Sequence, residues 1–467
     1  MIIRKLSLTN FRCFPALANL ELDDRLNVFI GGNGSGKSAL LDAIALGLGP
    51  ILSRLPELSA PGLKRSDIRL AASDIQAPFT RVALSAGPRA GGAISGTPAL
   101  QWDRVYTRDK SKETKRALPK DSRGLRQLHE WIDSIVEKHN AKQPYRLPVF
   151  AHYGTNRAVD VPHHRLREKR RRKAFERLDA LTGALNPNAD FRRAVAWFEL
   201  LEGQELRRKE ENGAGASAPP LLDAVRQAIE RMLPGVRKPR IDAETLRFVV
   251  DGENSDGETV KLFLDQLSDG YQVMLGVVLD FALRLVRANP PTADAPDPLA
   301  AEAIMVVDEV DLHLHPSWQQ RVIPDLLRTF TGTQFIITTH SPQVVTTVRK
   351  KNLRHLKGFQ ALEVPTEIIG AESSRALEDS FEVPVRPEGL DEVKLLERYI
   401  QLAEAPQSDA NEVGRLREEV RQTFSDDEPA IELTDMTLEQ RKLLGGLNLT
   451  LPAVQAPKDE EEEDDNQ

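Results

Sequence analysis

The octet Gly31-Gly32-Asn33-Gly34-Ser35-Gly36-Lys37-Ser38 limits most strongly what this chain can fold into. It fits the pattern GxxxxGK[ST] and stands between an apolar run, Arg25–Ile30, and a stretch with helical spacing, Ser38–Leu48 (Leu40, Leu41, Ile44, Leu46, Leu48), with Gly49-Pro50 as its stop. A polyphosphate needs many donors with no side chains in the way. Glycines allow the tight turn, successive N–H groups point inward, and the following helix adds its positive end. Gly31, Gly32, Asn33, Gly34, Ser35, Gly36, Lys37, Ser38 and Ala39 are therefore the expected nucleotide contacts. Lys37 would neutralise the β- and γ-phosphates of ATP, and Ser38 would hold Mg2+. Strand, glycine loop and helix in that order imply an α/β fold with a central parallel or mixed sheet.

Three later segments supply the remaining chemistry. Ile304-Met305-Val306-Val307-Asp308-Glu309 is a buried-strand pattern with two carboxylates at its C-terminal end, where ligands bind in open α/β sheets. Asp308 would hold Mg2+ through water, and Glu309 would act as general base on the attacking water. Gln334–Pro342 repeats the pattern and ends in Thr338-Thr339-His340-Ser341, which places His340 to contact the γ-phosphate. Leu267-Ser268-Asp269-Gly270-Tyr271-Gln272 opens a helix, with Ser268 as a candidate N-cap.

Composition narrows the class. With 40% hydrophobic residues the chain is globular, and 467 residues allow about two to three domains. No apolar run reaches the roughly 18 residues of a membrane span, and Met1-Ile2-Ile3-Arg4 reads straight into an alternating strand with no signal-peptide pattern. The single cysteine, Cys13, makes an internal disulfide or a CxxC metal hook impossible. A cytoplasmic protein is expected. The net charge of −7 is matched by the acidic run Asp459–Asp465, so the body is close to neutral and local patches must decide on nucleic acid.

The order of phosphate loop, LSDGYQ, VVDE and TTH resembles the ABC-type ATPases of the Rad50, SMC and RecF kind. LSDGYQ resembles their LSGGQ signature, with Asp269 in place of the first glycine of the pair. Asn10-Phe11-Arg12 resembles the NFR found there before the phosphate loop, which places Arg12 by the nucleotide. The resemblance implies an ATP-dependent dimer, or a higher oligomer, in which Ser268 and Gly270 close over the γ-phosphate held by a second copy. Gln76 and Asn156 are both candidates for the polar Q-loop residue, and Gln76 would in that role contact the metal.

About 230 residues separate Lys37 from Ser268 without sustained heptads, which excludes long coiled coils. Between Ser341 and Pro457 no Glu and DxD cluster stands out, so no nuclease activity of the chain's own is expected. Asp308–Pro316 (DEVDLHLHP), Trp318-Gln319-Gln320, Ile323–Leu326, Tyr153–Arg157 and Val383–Pro387 resemble the PtuA-like ATPases of Septu and retron anti-phage systems. That narrower resemblance implies a sensing or scaffolding ATPase that works with a separate HNH nuclease. The alternative is a stand-alone RecF-like DNA repair or maintenance ATPase. The basic run His164–Lys173 is a candidate nucleic-acid contact, with a solvated helix or loop as the alternative reading, and the acidic tail reads as solubilising. Asp311, His313 and His315 suggest a structural or subunit-contact role more than a metal site.

The organisation expected is an N-terminal ATPase lobe over 1–120, a mainly helical insertion over 121–240, and the lobe with the signature and carboxylates over 241–350. A helical C-terminal region over 351–457 and a disordered acidic tail over 458–467 would follow.

Overall fold

Short, largely apolar segments must be covered on both faces, and three of them set the centre of this molecule. The strands β3 (Leu26–Ile30), β10 (Ala303–Val307) and β11 (Thr333–Thr338) are buried along their whole length. Such a pattern fits parallel strands covered on both sides. In the computed structural model they lie in a six-stranded sheet of order β13-β12-β3-β11-β10-β6, completed by β6 (Val149–Tyr153), β12 (Leu353–Lys357) and β13 (Gln360–Glu363). Pairing is parallel from β12 across to β6, and β13 closes one edge antiparallel. The α/β class and mixed sheet expected from sequence are thus the fold observed. Ile304, Met305, Val306, Phe335, Ile336 and Ile337 are each 0% exposed, and burying such side chains stabilises by roughly 1.5–3 kcal/mol apiece as an upper figure.

The structure describes residues 1–70, 75–89, 98–157, 177–188, 191–212, 220–253, 256–405, 408–424 and 428–446. The basic run His164–Lys173 and the acidic tail lie outside the described residues.

A second, antiparallel sheet of order β2-β1-β4-β5 is built from β1 (Ile2–Phe11), β2 (Phe14–Glu21), β4 (Phe79–Gly87) and β5 (Leu100–Thr107). The last two fall where the sequence shows few clear periods. The helix α1 (Lys37–Arg54) packs so tightly on this sheet that a Cβ at Gly47 would lie 2.5 Å from Leu84 Cδ1. Sequence spacing places the end of α1 at Gly49-Pro50; the helix instead runs on to Arg54 with Pro50 inside it. The buried Ile51 and Leu52 anchor the extra turn, and that burial outweighs the hydrogen bond Pro50 cannot make.

The region 121–240 contributes α3 (Arg126–Asn140), α4 (Phe191–Asn212) and α5 (Pro220–Met232), after the short α2 (Lys112–Ala117). It also holds β6, a strand of the central sheet. The apolar stripe of α5 is buried at Leu222, Val225, Ala228, Ile229 and Met232. A three-stranded antiparallel sheet follows: β7 (Arg237–Ile241), unanticipated from sequence, then β8 (Phe248–Glu253) and β9 (Thr259–Phe263).

The helix α6 (Asp269–Ala288) carries the signature segment into the core. Tyr153 Oη donates to Asp280 Oδ2 at 2.7 Å, and Arg284 Nε donates to the same oxygen at 2.7 Å, which ties α6 to β6. Then come α7 (Pro316–Thr329), the single turn α8 (Pro342–Val345) and α9 (Ser373–Phe381). The chain divides into two compact units, Met1–Glu382 and Val383–Gln467. The second has its own core, in which Leu396 and Tyr399 of α10 (Asp391–Glu404), Leu416 and Val420 of α11 (Ala410–Thr423) and Ile431 of α12 (Pro429–Gly446) meet. Among the described residues no helix is long and apolar enough to cross a membrane.

Candidate functional site

Four parallel strands deliver their C-terminal ends to one edge of the central sheet. β3 runs into the phosphate loop, β10 into Asp308-Glu309, β11 into Thr339-His340, and β6 into Gly154–Arg157. That edge is where open α/β sheets form their sites.

The loop needs its glycines for a steric reason. Gly31, Gly34 and Gly36 have φ of 149°, 78° and 99°. A Cβ would lie 2.6 Å from Leu356 O at Gly31 and 2.8 Å from Phe14 Cζ at Gly36. Gly36 is the N-cap of α1 and brings no side-chain oxygen to the free N–H groups of the first turn, so they remain for an anion. The buried Ser35 Oγ has no hydrogen-bond partner. Gly32, Asn33, Gly34 and Ser38 are exposed and Ala39 is half-buried. These features fit a polyphosphate. Gly36→Ala is expected to cost about 1–2 kcal/mol from the left-handed backbone alone, more with the Phe14 contact. Urea denaturation of the variant reads the loss, and unchanged stability would contradict the steric reading.

Lys37 is buried, and its Nζ donates to Gly31 O at 2.8 Å and Gly32 O at 3.0 Å. Burial lowers its pKa, while the carboxylates of Asp308, Glu309 and Asp311 oppose that shift. The structure thus gathers Lys37 and these acids in one field. Asp308 is buried and accepts from Thr338 Oγ1 at 2.5 Å. The same hydroxyl accepts from Glu309 N at 2.7 Å. Glu309 itself has a left-handed backbone, φ 47°. Asp311 Oδ1 accepts from Thr339 Oγ1 at 2.5 Å and from His340 N at 3.4 Å, which fixes the turn that bears His340.

Arg12, φ 47°, is gripped by two acids. Its Nε donates to Asp67 Oδ1 at 2.9 Å and its Nη1 to Asp42 Oδ2 at 2.5 Å. Burial works against the Arg12 charge, but the pairs with Asp42 and Asp67 outweigh it and raise the pKa. Beside Asp42 lies His152 of β6, with Nε2 3.9 Å from Asp42 Oδ1. Burial lowers the His152 pKa, with Asp42 and Asp308 opposing.

Ser268 occupies the N-cap position of α6, yet its side chain makes no capping bond, and the residue is exposed. Gly270 packs on the turn after Glu309: a Cβ there would lie 2.5 Å from His313 O. The amide of Gln76 is committed to Arg65, which donates from Nε at 3.0 Å and accepts at its carbonyl oxygen at 3.1 Å. Among the described residues no hydrogen bond or ion pair joins Gln76 to the Lys37–Asp308 cluster. Asn156, by contrast, lines a cleft of about 340 Å3 with Thr155, Arg157, Asp269, Gln272 and His313. His315 caps α7 through Nδ1, and among the described residues no group of three His, Cys, Asp or Glu could hold a metal ion by itself.

Sequence reasoning passed over three residues. Thr338 links Asp308 to Glu309; Asp42 anchors Arg12; and Arg157 donates from Nη2 to Asp308 O at 2.7 Å and Glu309 O at 2.5 Å. Arg157 had a signal, since it ends the segment Tyr153–Arg157 already singled out. Thr338 stood in the segment Thr338–Ser341 with no sign of this bridging role, and Asp42 had no signal beyond its place after the glycine-rich loop.

In a comparison with known proteins, residues 5–237 match a family model described as an AAA domain. Residues 161–346 match a second one, described as an AAA domain, putative AbiEii toxin, type IV toxin–antitoxin system. The chain is similar to a retron Ec83 probable ATPase of Escherichia coli, 29% identical over 94% of this chain and 87% of that one. A retron Vc95 probable ATPase of Vibrio cholerae is 23% identical over 89% of this chain and 86% of its own length. A Septu protein PtuA of Bacillus mycoides is 37% identical over 17% of this chain and 10% of its own. Among solved structures, the SMC head domain from Thermotoga maritima aligns over 79% of this chain and all of that one, with a TM-score of 0.39 and 18% identity.

Proposed function

We propose that this chain, an ABC-type ATPase of the Rad50/SMC kind akin to the retron and PtuA ATPases, hydrolyses ATP at sites completed by a second copy of itself, as the switch of an anti-phage complex. The observation that carries the composite site is Ser268. It stands exposed at the start of a 20-residue helix, and its hydroxyl caps nothing there. A helix N-terminus with a free hydroxyl is ready for an anion that its own subunit does not supply.

In this reading Gly31–Ala39 wraps the phosphates, with Lys37 turning from the loop carbonyls to the β- and γ-phosphates. Mg2+, held by Ser38 and through water by Asp308, would neutralise phosphate charge. Arg12, fixed by Asp42 and Asp67, borders the nucleotide. Glu309 takes a proton from the attacking water, whose oxygen bonds to the γ-phosphorus as the bond from that phosphorus to the bridging oxygen breaks, and ADP and phosphate leave. His340 orients the water and the γ-phosphate. Ser268 and Gly270 of the partner subunit close the site, so ATP joins two copies and hydrolysis releases them.

A separate HNH-type nuclease is the proposed effector in a cytoplasmic complex, with His164–Lys173 as the contact to nucleic-acid backbone. The similarity to retron ATPases along most of both chains supports this over a stand-alone RecF-like role. Purification of the tagged protein from its native operon, with partners identified by mass spectrometry, tests it. A stoichiometric nuclease is the expected result; recovery of the chain with itself alone would favour the repair reading.

The composite site has its own test. Lys37→Ala and Ser268→Arg should each be inactive alone. Mixed in equal amounts with ATP, they should recover about a quarter of wild-type hydrolysis, because half the dimers are then mixed and each mixed dimer keeps one intact site. A mixture as inactive as its parts would remove the trans role of Ser268.

A further inference from the structure

The backbone that presents Glu309 is in an unfavourable conformation, and something must hold it there. At φ 47° Glu309 occupies the left-handed region, which side-chain-bearing residues rarely adopt. Two groups clamp the turn. On one side Thr338 Oγ1 accepts the Glu309 N–H at 2.7 Å. On the other, one nitrogen of Arg157, Nη2, donates to the carbonyl oxygens of Asp308 at 2.7 Å and Glu309 at 2.5 Å.

Arg157 is an expensive way to make those two bonds. It is 3% exposed, its Nε has no hydrogen-bond partner, and among the described residues no carboxylate pairs with it within 4 Å. A buried, unpaired guanidinium is normally selected against. Its donors to the turn face the main chain. What the cation does gain is the field of Asp308, Glu309 and Asp311, which opposes the lowering of its pKa by burial. Arg157 also sits four residues beyond Tyr153, whose backbone oxygen accepts from Asp308 N at 2.8 Å. The segment after β6 therefore touches the start of the turn through main chain and its centre through a side chain.

We propose that Arg157 is a positioning residue for hydrolysis: it locks the left-handed turn at Asp308-Glu309, so that the Glu309 carboxylate faces the attacking water. The placement of the base then depends on the segment Gly154–Arg157. That segment lines the same cleft as Asp269 and Gln272 of the signature helix, so a shift of α6 in one copy reaches the base of that same copy. Thr338 holds the turn from the opposite side but belongs to the sheet, so it cannot move independently of it.

This inference rests on Glu309 as the base, and the experiment separates the two. Steady-state kinetics and nucleotide binding are measured for Arg157→Ala, Arg157→Lys, Glu309→Gln and the double variant Arg157→Ala/Glu309→Gln. Arg157→Ala should lower kcat by about 10- to 100-fold, the scale of a catalytic group displaced by an ångström, with ATP affinity within about threefold of wild type. Added guanidinium should restore part of that kcat. In the Glu309→Gln background Arg157→Ala should cost less than about threefold more, because a residue acting only through the base has nothing left to position. Arg157→Lys, which keeps the charge and is the variant used if alanine does not fold, should fall short of wild type because an ammonium lacks the planar fork. A wild-type kcat in both variants, equal falls in kcat and ATP affinity, or additive losses in the double variant would each overturn the proposal. A Glu309→Gln protein of normal rate would instead overturn the base assignment beneath it.

Discussion

Glu309→Gln is expected to lower kcat by about 10²- to 10³-fold while leaving ATP affinity near that of the wild type, within the range general-base catalysis contributes. The substitution keeps the size of the side chain and removes the proton acceptor. The turn that carries it is held by contacts to the Glu309 main chain, from Thr338 and Arg157, and these survive the exchange. Bound ATP should therefore persist and hold two copies together. Size-exclusion chromatography with light scattering should show a dimer with ATP that remains after hours of incubation, where the wild type returns to its nucleotide-free state. Hydrolysis at the normal rate would remove Glu309 from the role, and ATP binding without any change in mass would remove the closed dimer.

Lys37→Ala should weaken ATP binding by about 10²-fold, since hydrogen bonds to charged groups contribute roughly 1.5–3 kcal/mol each and a triphosphate draws on more than one. Titration of a fluorescent ATP analogue measures it. The effect on folding should be small. Burial lowers the pKa of Lys37, so a charged Lys37 is a desolvation cost that the fold carries. Its hydrogen bonds to Gly31 O and Gly32 O offset part of that cost. Thermal unfolding without nucleotide should shift by no more than a few degrees. A large drop would mean that Lys37 supports the loop itself, and near-normal ATP binding would mean that the backbone donors suffice.

The sheet strands β3, β10 and β11 were legible because each is a short apolar run closed by polar residues, the pattern that burial on both faces imposes. The strands β4 and β5 were not. They lie in a half-buried antiparallel sheet, where small residues such as Ala83, Ser85 and Ala86 blur the alternation. The end of α1 was misjudged because Gly49-Pro50 is a local stop signal that tertiary burial of Ile51 and Leu52 overrides. The third helix of the C-terminal unit, α12, gave no periodic signal in sequence. Its exposed Leu433, Met436 and Leu443 break the polar face that would mark an amphipathic helix.

By itself, then, the sequence determined the glycine-rich loop 31–38 and its flanking strand and helix, because a contiguous run of residues sets that geometry with its own backbone. It likewise determined the acid pair at the end of β10 and the order of motifs along the chain. Only the tertiary structure decided which side chain meets the acid turn. Gln76 is engaged by Arg65, whereas β6 pairs with β10 and so carries Arg157 to Asp308 and Glu309 from about 150 residues away. The same is true of the hydroxyl of Thr338 bridging Asp308 and Glu309, and of the Ser268 side chain left without a capping bond at the start of α6. Those relations depend on strand order and register, and local periodicity records burial while remaining silent on which strand becomes the neighbour.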